Sequence, residues 1–167
     1  SVAGDAADGQ WQRAIPNNGD RGDPEADAET DGAGFCFVTD NGNVPNDNSD
    51  VDDGSTTLTS PILNAGGNAG ETAFLSYVRW YSNDFGNAPN ADVFVVELSN
   101  DGGATWTTLE TVGPAGPGTS GGWIPVEHRI ADVITPTADM RVRFTASDLG
   151  EGSIVEAGVD AVAIRLA

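Results

Sequence analysis

The sequence predicts an all-β chain: an antiparallel β-sandwich of jelly-roll type with about nine strands. Three observations point there. No window of a dozen residues keeps apolar side chains at i, i+3, i+4 and i+7, so the helical period is missing. The 167 residues include 22 glycines and 9 prolines, which break the chain too often for long helices. Short runs of β-branched and aromatic residues recur instead, separated by Gly, Asp and Asn turns.

Taken in order, Trp11–Ile15 is a short run stopped by Pro16, and Phe35–Thr39 is an apolar stretch between glycine-rich segments. Thr57–Leu63 mixes Thr with aliphatic residues, and Thr72–Tyr81 is the longest alternating segment. Asp92–Ser99 alternates Phe94, Val96 and Leu98 with Val93, Val95 and Glu97. Thr105–Val112 and Trp123–Arg129 each begin near a tryptophan, Arg141–Ala146 alternates Arg with Val and Phe, and Ser153–Leu166 closes the chain. Parity places Phe94, Val96, Leu98, Val142 and Phe144 inward, with Glu97, Arg141, Arg143 and Thr145 outward. The same parity turns Trp80 inward and His128 outward. If the strands share a sheet, Tyr77, Arg79, Tyr81, Glu97, Arg143 and Glu156 form one polar face bearing aromatic rings. Such a face either holds a ligand or pairs its own charges on a solvated sheet.

Composition narrows the function. The chain has 26 acidic residues, 7 basic residues and one His, for a net charge of -19, and all seven cations are Arg. Nucleic acid and anionic membrane surfaces are held by clustered cations, and none cluster here. No apolar run approaches the ~20 residues that span a bilayer. Self-repulsion at this charge predicts a saline setting and a stability that rises with salt. The length suits one domain, residues 1–167, and a chain opening on Ser1 and Val2 reads as a mature or excised piece of something larger.

Cys36 is the lone cysteine, so no internal disulfide forms; in an apolar run it reads as a small buried hydrophobe rather than the partner of His128 in a nucleophilic dyad. One His and one Cys do not build a zinc site. Carboxylate pairs are everywhere among 26 acids, so none is singled out as a glycosidase pair, and no catalysis is expected. Arg21-Gly22-Asp23 is an adhesion tripeptide by spelling only, of the kind that chance supplies in Gly/Asp-rich loops. Ser99-Asn100-Asp101-Gly102-Gly103-Ala104-Thr105-Trp106 fits the S-x-D-x-G-x-T-W box of sialidase propellers, but once, in a chain too short for such a propeller. It predicts a hairpin in which Asp101 caps the turn, the glycines take positive φ and Trp106 packs beneath.

From Asn17 to Asp53 the chain is mostly Asp, Asn, Gly, Pro and Ser around one strand, and long ordered loops of that kind need something to hold them. Calcium takes six to eight hard oxygens from carboxylates, Asn and backbone carbonyls, and Asn46 to Gly54 supplies them densely. Asp outnumbers Glu 18 to 8, as suits short side chains wrapping an ion. The spacing is not that of an EF-hand. Asp50 and Asp52 with Asn48 are the expected loop ligands, and Asp31 and Asp160 would bring in distant segments. For a sugar, Tyr77, Arg79, Tyr81, Asn83, Glu97 and Arg143 offer ring faces for the apolar side of a pyranose and polar groups for its hydroxyls.

Gly22-Asp23-Pro24, Asp31 to Thr39, Asn48 to Asp52 leading to Leu58-Thr59-Ser60-Pro61, Arg79 to Asn83, Ser99 to Gly103, and Gly152 to Ala157 with Asp160 resemble one domain type over nearly the whole chain. They look like the MAM-like or carbohydrate-binding-module-like jelly rolls appended to secreted bacterial peptidases and polysaccharide-degrading enzymes. The paired cysteines of animal MAM domains are absent. The resemblance implies an extracellular, non-catalytic accessory module of a multidomain protein, with a structural calcium that uses an Asp in the last strand, matched by Asp160. Its partner would be a polysaccharide or glycan; the alternative is a structural or protein-interaction domain attached to a secreted peptidase or other enzyme, with no sugar site.

Overall fold

The computed structural model describes residues 1–17, 22–28, 34–42 and 50–167. Ten strands are seen among them: β1 Val2–Gly4, β2 Trp11–Ala14, β3 Cys36–Thr39, β4 Gly54–Thr59, β5 Ala73–Gly86, β6 Phe94–Ser99, β7 Thr107–Val112, β8 Ile124–Arg129, β9 Arg141–Asp148 and β10 Ser153–Leu166. One turn of 3-10 helix, Ile130–Asp132, follows β8. Nine strands fall where alternation placed them, although β4 starts and stops earlier than expected and Leu63 keeps only an isolated bridge to Met140. The unforeseen one, β1, is three exposed residues with no alternation to read; it exists because β4 offers it an edge.

Two five-stranded antiparallel sheets form, in the orders β1-β4-β9-β6-β7 and β2-β3-β10-β5-β8. Strands β3 with β10, β4 with β9, β5 with β8 and β6 with β7 pair as if one long hairpin, with β6 and β7 at its tip, had been rolled up. Rolling then joins β10 to β5 and β9 to β6, which is the jelly-roll arrangement. The strands carrying Glu97 and Arg143 therefore lie in one sheet and those carrying Tyr77, Arg79, Tyr81 and Glu156 in the other.

Between the sheets, Phe94 and Phe144 stack with centroids 6.3 Å apart, Tyr81 lies 5.6 Å from Phe94, and Tyr77 meets Phe144 edge-on at 5.3 Å. Leu58, Leu75, Val96, Leu98, Met140, Val142, Val155 and Val159 fill the rest of this core. Inward parity for Phe94, Val96, Leu98, Val142 and Phe144 holds. It fails on β5 because both faces of that strand are bulky: Leu75, Tyr77, Arg79 and Tyr81 turn inward, and Trp80 points out. His128 is likewise turned inward, stacked on Tyr77 at 6.2 Å, since its partner in register is the buried Leu75. Cys36 is 2% exposed, its thiol pushed up to about 12 by burial and then by Asp160 and Asp27. It stands on β3, with β10 and β5 between it and the β8 strand of His128, so no dyad forms.

The hairpin between β6 and β7 has the expected form. Asp101 Oδ1 accepts from Ser99 Oγ at 2.7 Å and Thr105 N at 2.9 Å, Gly102 and Gly103 sit at φ 74 and 101, and the Trp106 ring lies against Gly103. A side-chain clamp holds the sheets together at the opposite edge from β1 and β2. Arg79 of β5 donates from Nε (3.0 Å) and Nη2 (2.7 Å) to Glu110 Oε1 on β7, and Tyr77 Oη donates to Glu110 Oε2 at 2.8 Å. Removing one side of a buried, hydrogen-bonded ion pair leaves an uncompensated charge, whereas replacing both with apolar groups does not. Glu110→Ala is expected to lower stability in urea unfolding by about 3–5 kcal/mol, with the double change Arg79→Met, Glu110→Leu recovering most of the loss.

Candidate functional site

The outer face of the β2-β3-β10-β5-β8 sheet is hollowed, and the cause is a break in β10. Its pairing with β5 slips between Asp160 and Ala163, and Ala161 adopts φ 52. An extra residue of this kind bends a strand and re-aims its neighbours, and the small side chains of Ala161 and Ala163 leave space. Two hollows meet at Ala161. The larger, about 460 Å³, is lined by Arg13, Phe35, Cys36, Phe37 and residues 160–163; the smaller, about 260 Å³, by Ser76, Val78, Pro125 and Glu127 among others. Together they cross all five strands.

Phe35, 38% exposed, forms one wall, and the Arg13 guanidinium lies 4.5 Å above its ring. The other described arginines have acceptors: Arg79 on Glu110, Arg129 on Asp132, Arg143 on Glu97, Arg165 on Glu127 and Arg141 on the Ser60 carbonyl. Among the described residues Arg13 has none, in a chain with 26 carboxylates. Asp160 supplies a carboxylate to the same hollow while accepting from Ala28 N at 3.3 Å and Ala161 N at 2.7 Å. At the far end Arg165 lies 4.3 Å over Phe74 and is bonded to Glu127.

Residues 22–28 are strapped across the end of this face. Trp80 Nε1 donates to the Gly22 carbonyl at 2.6 Å and Trp123 Nε1 to the Ala26 carbonyl at 2.8 Å. The two indoles meet edge-on at 5.8 Å over Gly158, where a Cβ would come within 2.7 Å of Trp123. Glycine at that position is what lets the Trp123 ring come down onto the strand beside Trp80.

The six expected sugar-binding residues are therefore dispersed. Tyr77, Arg79 and Tyr81 face the core and Asn83 is fully buried. Glu97 and Arg143 lie on the outer face of the other sheet, joined at 2.6 Å with the Trp106 ring 4.3 Å from the guanidinium. The shared sheet that would have made one face of them does not exist, because the jelly roll puts β5 in one layer and β6 and β9 in the other. Arg13, Phe35 and the strap tryptophans escaped sequence reasoning. The usable signal was the Ala161-Val162-Ala163 stretch, too small in side chain for a regular outer face.

Carboxylates crowd one end of the sandwich. Asp50, 3% exposed, is pushed up to about 7 by burial and by Asp52, Asp148 and Asp40; Asp148 is raised to about 6 by burial and by Asp92 and Asp52. Glu156, 2% exposed, is held well above the usual carboxylate range by burial, then by Asp23 and Asp50. Asp52 is raised by burial and by Asp53 and Asp8. No basic group is among these influences. Of the expected metal ligands, Asp50 and Asp52 sit in this corner, Asp160 lies further along β10 beside the strap, and Asp31 and Asn48 fall outside the described residues, as does Arg21 of the adhesion tripeptide. Among the described residues no three His, Cys, Asp or Glu side chains are grouped so as to hold a metal ion, and no helix is long and apolar enough to cross a membrane.

No protein-family model matches the chain, and no curated protein sequence matches it. Solved structures do. One is a carbohydrate-binding module from a study of promiscuous specificity in the β-sandwich superfamily, at TM-score 0.53 and 10% identity, covering 99% of this chain and 56% of that one. Another is the K3 cleaved adhesin domain of Lys-gingipain from Porphyromonas gingivalis W83, at TM-score 0.52 and 12% identity, covering 98% of this chain and 90% of that one. This chain thus spans little more than half the length of the first of these structures. At such identities the likeness is one of fold: the chain is a β-sandwich of the kind that carbohydrate-binding modules and this adhesin domain share.

Proposed function

We propose that this domain is a non-catalytic carbohydrate-binding module, steadied by calcium and carried by a larger secreted protein, and that its sugar lies in the groove on the outer face of the β2-β3-β10-β5-β8 sheet. The observation that carries the reading is the grouping around one hollow of exposed Phe35, Asp160 and the Arg13 guanidinium, which has no acceptor among the described residues. A pyranose presents C–H groups on its faces and hydroxyls at its rim. A phenyl ring takes the former, a guanidinium donates to hydroxyl oxygens and a carboxylate accepts from hydroxyl hydrogens. The 460 Å³ hollow falls within the ~300–1,000 Å³ usual for small-ligand sites.

For calcium, the chemistry of the donors is the support. Asp50 has one buried carboxylate oxygen without a hydrogen-bond donor, in a corner with no counter-cation among the described residues, and burying such a charge is costly. In this reading Asp50 and Asp52, completed by Asn48 and Asp31, hold the ion, and Asp160 ties the strap to β10. The ion would supply positive charge and no redox or Lewis-acid chemistry is called for.

A second reading, an interaction domain without a sugar site, has one feature in its favour. On the outer face of the other sheet Thr57, Thr59, Thr145, Thr108 and Thr111 surround Arg143, with Glu97 already bonded to it, and this surface is far less acidic than the chain as a whole.

Glycan arrays and pull-down on insoluble polysaccharides separate the readings. Phe35→Ala or Arg13→Ala is expected to cost about 1–3 kcal/mol of binding, roughly tenfold to a hundredfold in Kd, with little change in melting temperature. Binding that survives both changes, or is lost only with Trp106→Ala, removes the groove from consideration.

Calcium in excess over chelator is expected to raise the melting temperature, by about 2.7 kcal/mol of stability at a hundredfold excess over Kd, and Asp50→Ala to abolish most of that gain. Acid acts on the metal-free chain in a defined sense. Asp50 (about 7), Asp148 (about 6) and Glu156 bind protons more tightly folded than unfolded; the contribution of Asp50 and Asp148 is complete below about pH 4 and is lost as pH rises through 6 to 7, and that of Glu156 acts in the same direction. Melting in chelator is expected to rise as pH falls from about 7.5 to 4.5, and the slope to flatten when calcium replaces the protons. A melting temperature indifferent to both calcium and pH leaves these loops as plain solvated surface.

A further inference from the structure

Beneath the acidic corner, in the mouth between the two sheets, a group of oxygens is fixed with nothing to bind. Asn83 is fully buried, and its orientation is set: Nδ2 donates to the Asp92 carbonyl at 2.8 Å and to the Pro114 carbonyl at 3.0 Å. Its Oδ1 therefore faces away from both, and no protein donor reaches it. Asp92, 4% exposed, spends Oδ1 on the Leu149 N–H at 2.8 Å, and its Oδ2 has no donor either. Asp148, also 4% exposed, spends Oδ1 on the Ser153 N–H at 3.1 Å and otherwise faces Asp92, side chain to side chain. Tyr81, two residues before Asn83 on the same face of β5, completes the group: its hydroxyl is buried without a partner and feels both Asp92 and Asp148.

We propose that Asn83, Asp92 and Asp148, with the Tyr81 hydroxyl beside them, form a second hard-cation site, separate from the loop site at Asp52 and from Asp160, and that its ion is calcium. Two leftover oxygens, from β5 and the β5–β6 connection, and the Asp148 carboxylate at the end of β9 are all acceptors, and an acceptor cluster is satisfied by protons or by a cation. Oxygen-only donors exclude the softer metals that prefer nitrogen and sulfur. Magnesium keeps most of its water shell, which side chains at 4% exposure or less do not accommodate, whereas calcium accepts an irregular shell of carboxylate, amide and backbone oxygens. An ion here would join the β5–β6 connection to the β9–β10 connection, closing one end of the sandwich. The site does not rest on the sugar groove or on the loop ion. Asp50 stands between the two acidic groups and so is not used to tell them apart.

The test is calcium titration of the chelator-stripped chain by calorimetry, with melts in chelator and in calcium, on wild type, Asp92→Asn, Asp148→Asn, Asp52→Ala and Asp160→Ala. The amides keep the shape of the acids and relieve repulsion, so Asp148→Asn should melt at or above the wild type in chelator. Each amide variant is expected to bind one calcium ion fewer than wild type and to lose the matching rise in melting temperature, while Asp52→Ala and Asp160→Ala keep that ion. If the amide variants bind as many ions as wild type with the same affinity, the pair shares only a proton and the proposal falls, whatever the loop variants do. If only Asp52→Ala or Asp160→Ala loses an ion, the loop site stands and this one does not.

Discussion

Strand β10 carries the architecture because it is hydrogen-bonded on both sides, to β3 and, over eleven paired positions, to β5. Its sequence serves three masters in turn. Near its start Glu156 is buried under the strap, in the middle Gly158 makes room for two indoles, and beyond them the slip at residues 160–163 opens the groove. A regular strand would satisfy its hydrogen bonds equally well, but it would leave a flat outer face with no hollow. The register with β5 on each side of the slip keeps Val159 and Ile164 packed on the core, so the irregularity is confined to the outer surface. The grooved face and the folding core are thus built on one strand and kept independent by its two sides.

Electrostatics sets the second condition. With carboxylates far in excess, most arginines are spent locally, and the pairs divide by burial. Arg79 with Glu110 is nearly dry and joins the sheets; Arg129 with Asp132 and Arg165 with Glu127 are half exposed and contribute little. Among the described residues no cation is spent on the corner holding Asp50, Asp148 and Glu156. In the proposed reading, that imbalance is what would let protons and divalent ions act on this fold through the same few side chains.

The layered class was legible in the sequence because strand alternation and glycine-rich turns are local signals, and nine of the ten strands report them directly. The buried thiol of Cys36 and the Asp101 hairpin were legible for the same reason. What alternation does not encode is which layer a strand joins. Glu97 and Arg143 were assigned to the correct outward side of their own strands, yet the partners imagined for them belong to the other sheet. On β5 both faces are aromatic, so parity alone did not choose between Trp80 and Tyr81, and only the strap, which buries Trp80 from outside, explains why both sides are bulky. The acid-rich stretch was recognisable by composition, whereas the contribution of Asp92, Asp148 and Glu156 depends on strand ends that meet only after folding.

The outermost strands have a consequence for how such a domain behaves at high concentration. A sheet edge presents unpaired amides and carbonyls to any extended chain nearby, and many proteins guard it with lysine, which this sequence lacks. Here β8 carries Pro125, which has no amide to offer, and β1 and β2 are only three and four residues long. With a charge of -19 on every copy, two molecules repel before their edges approach. Copies of the domain are thereby hindered from adding their β1, β2 and β8 edges to those of their neighbours, even when crowded together.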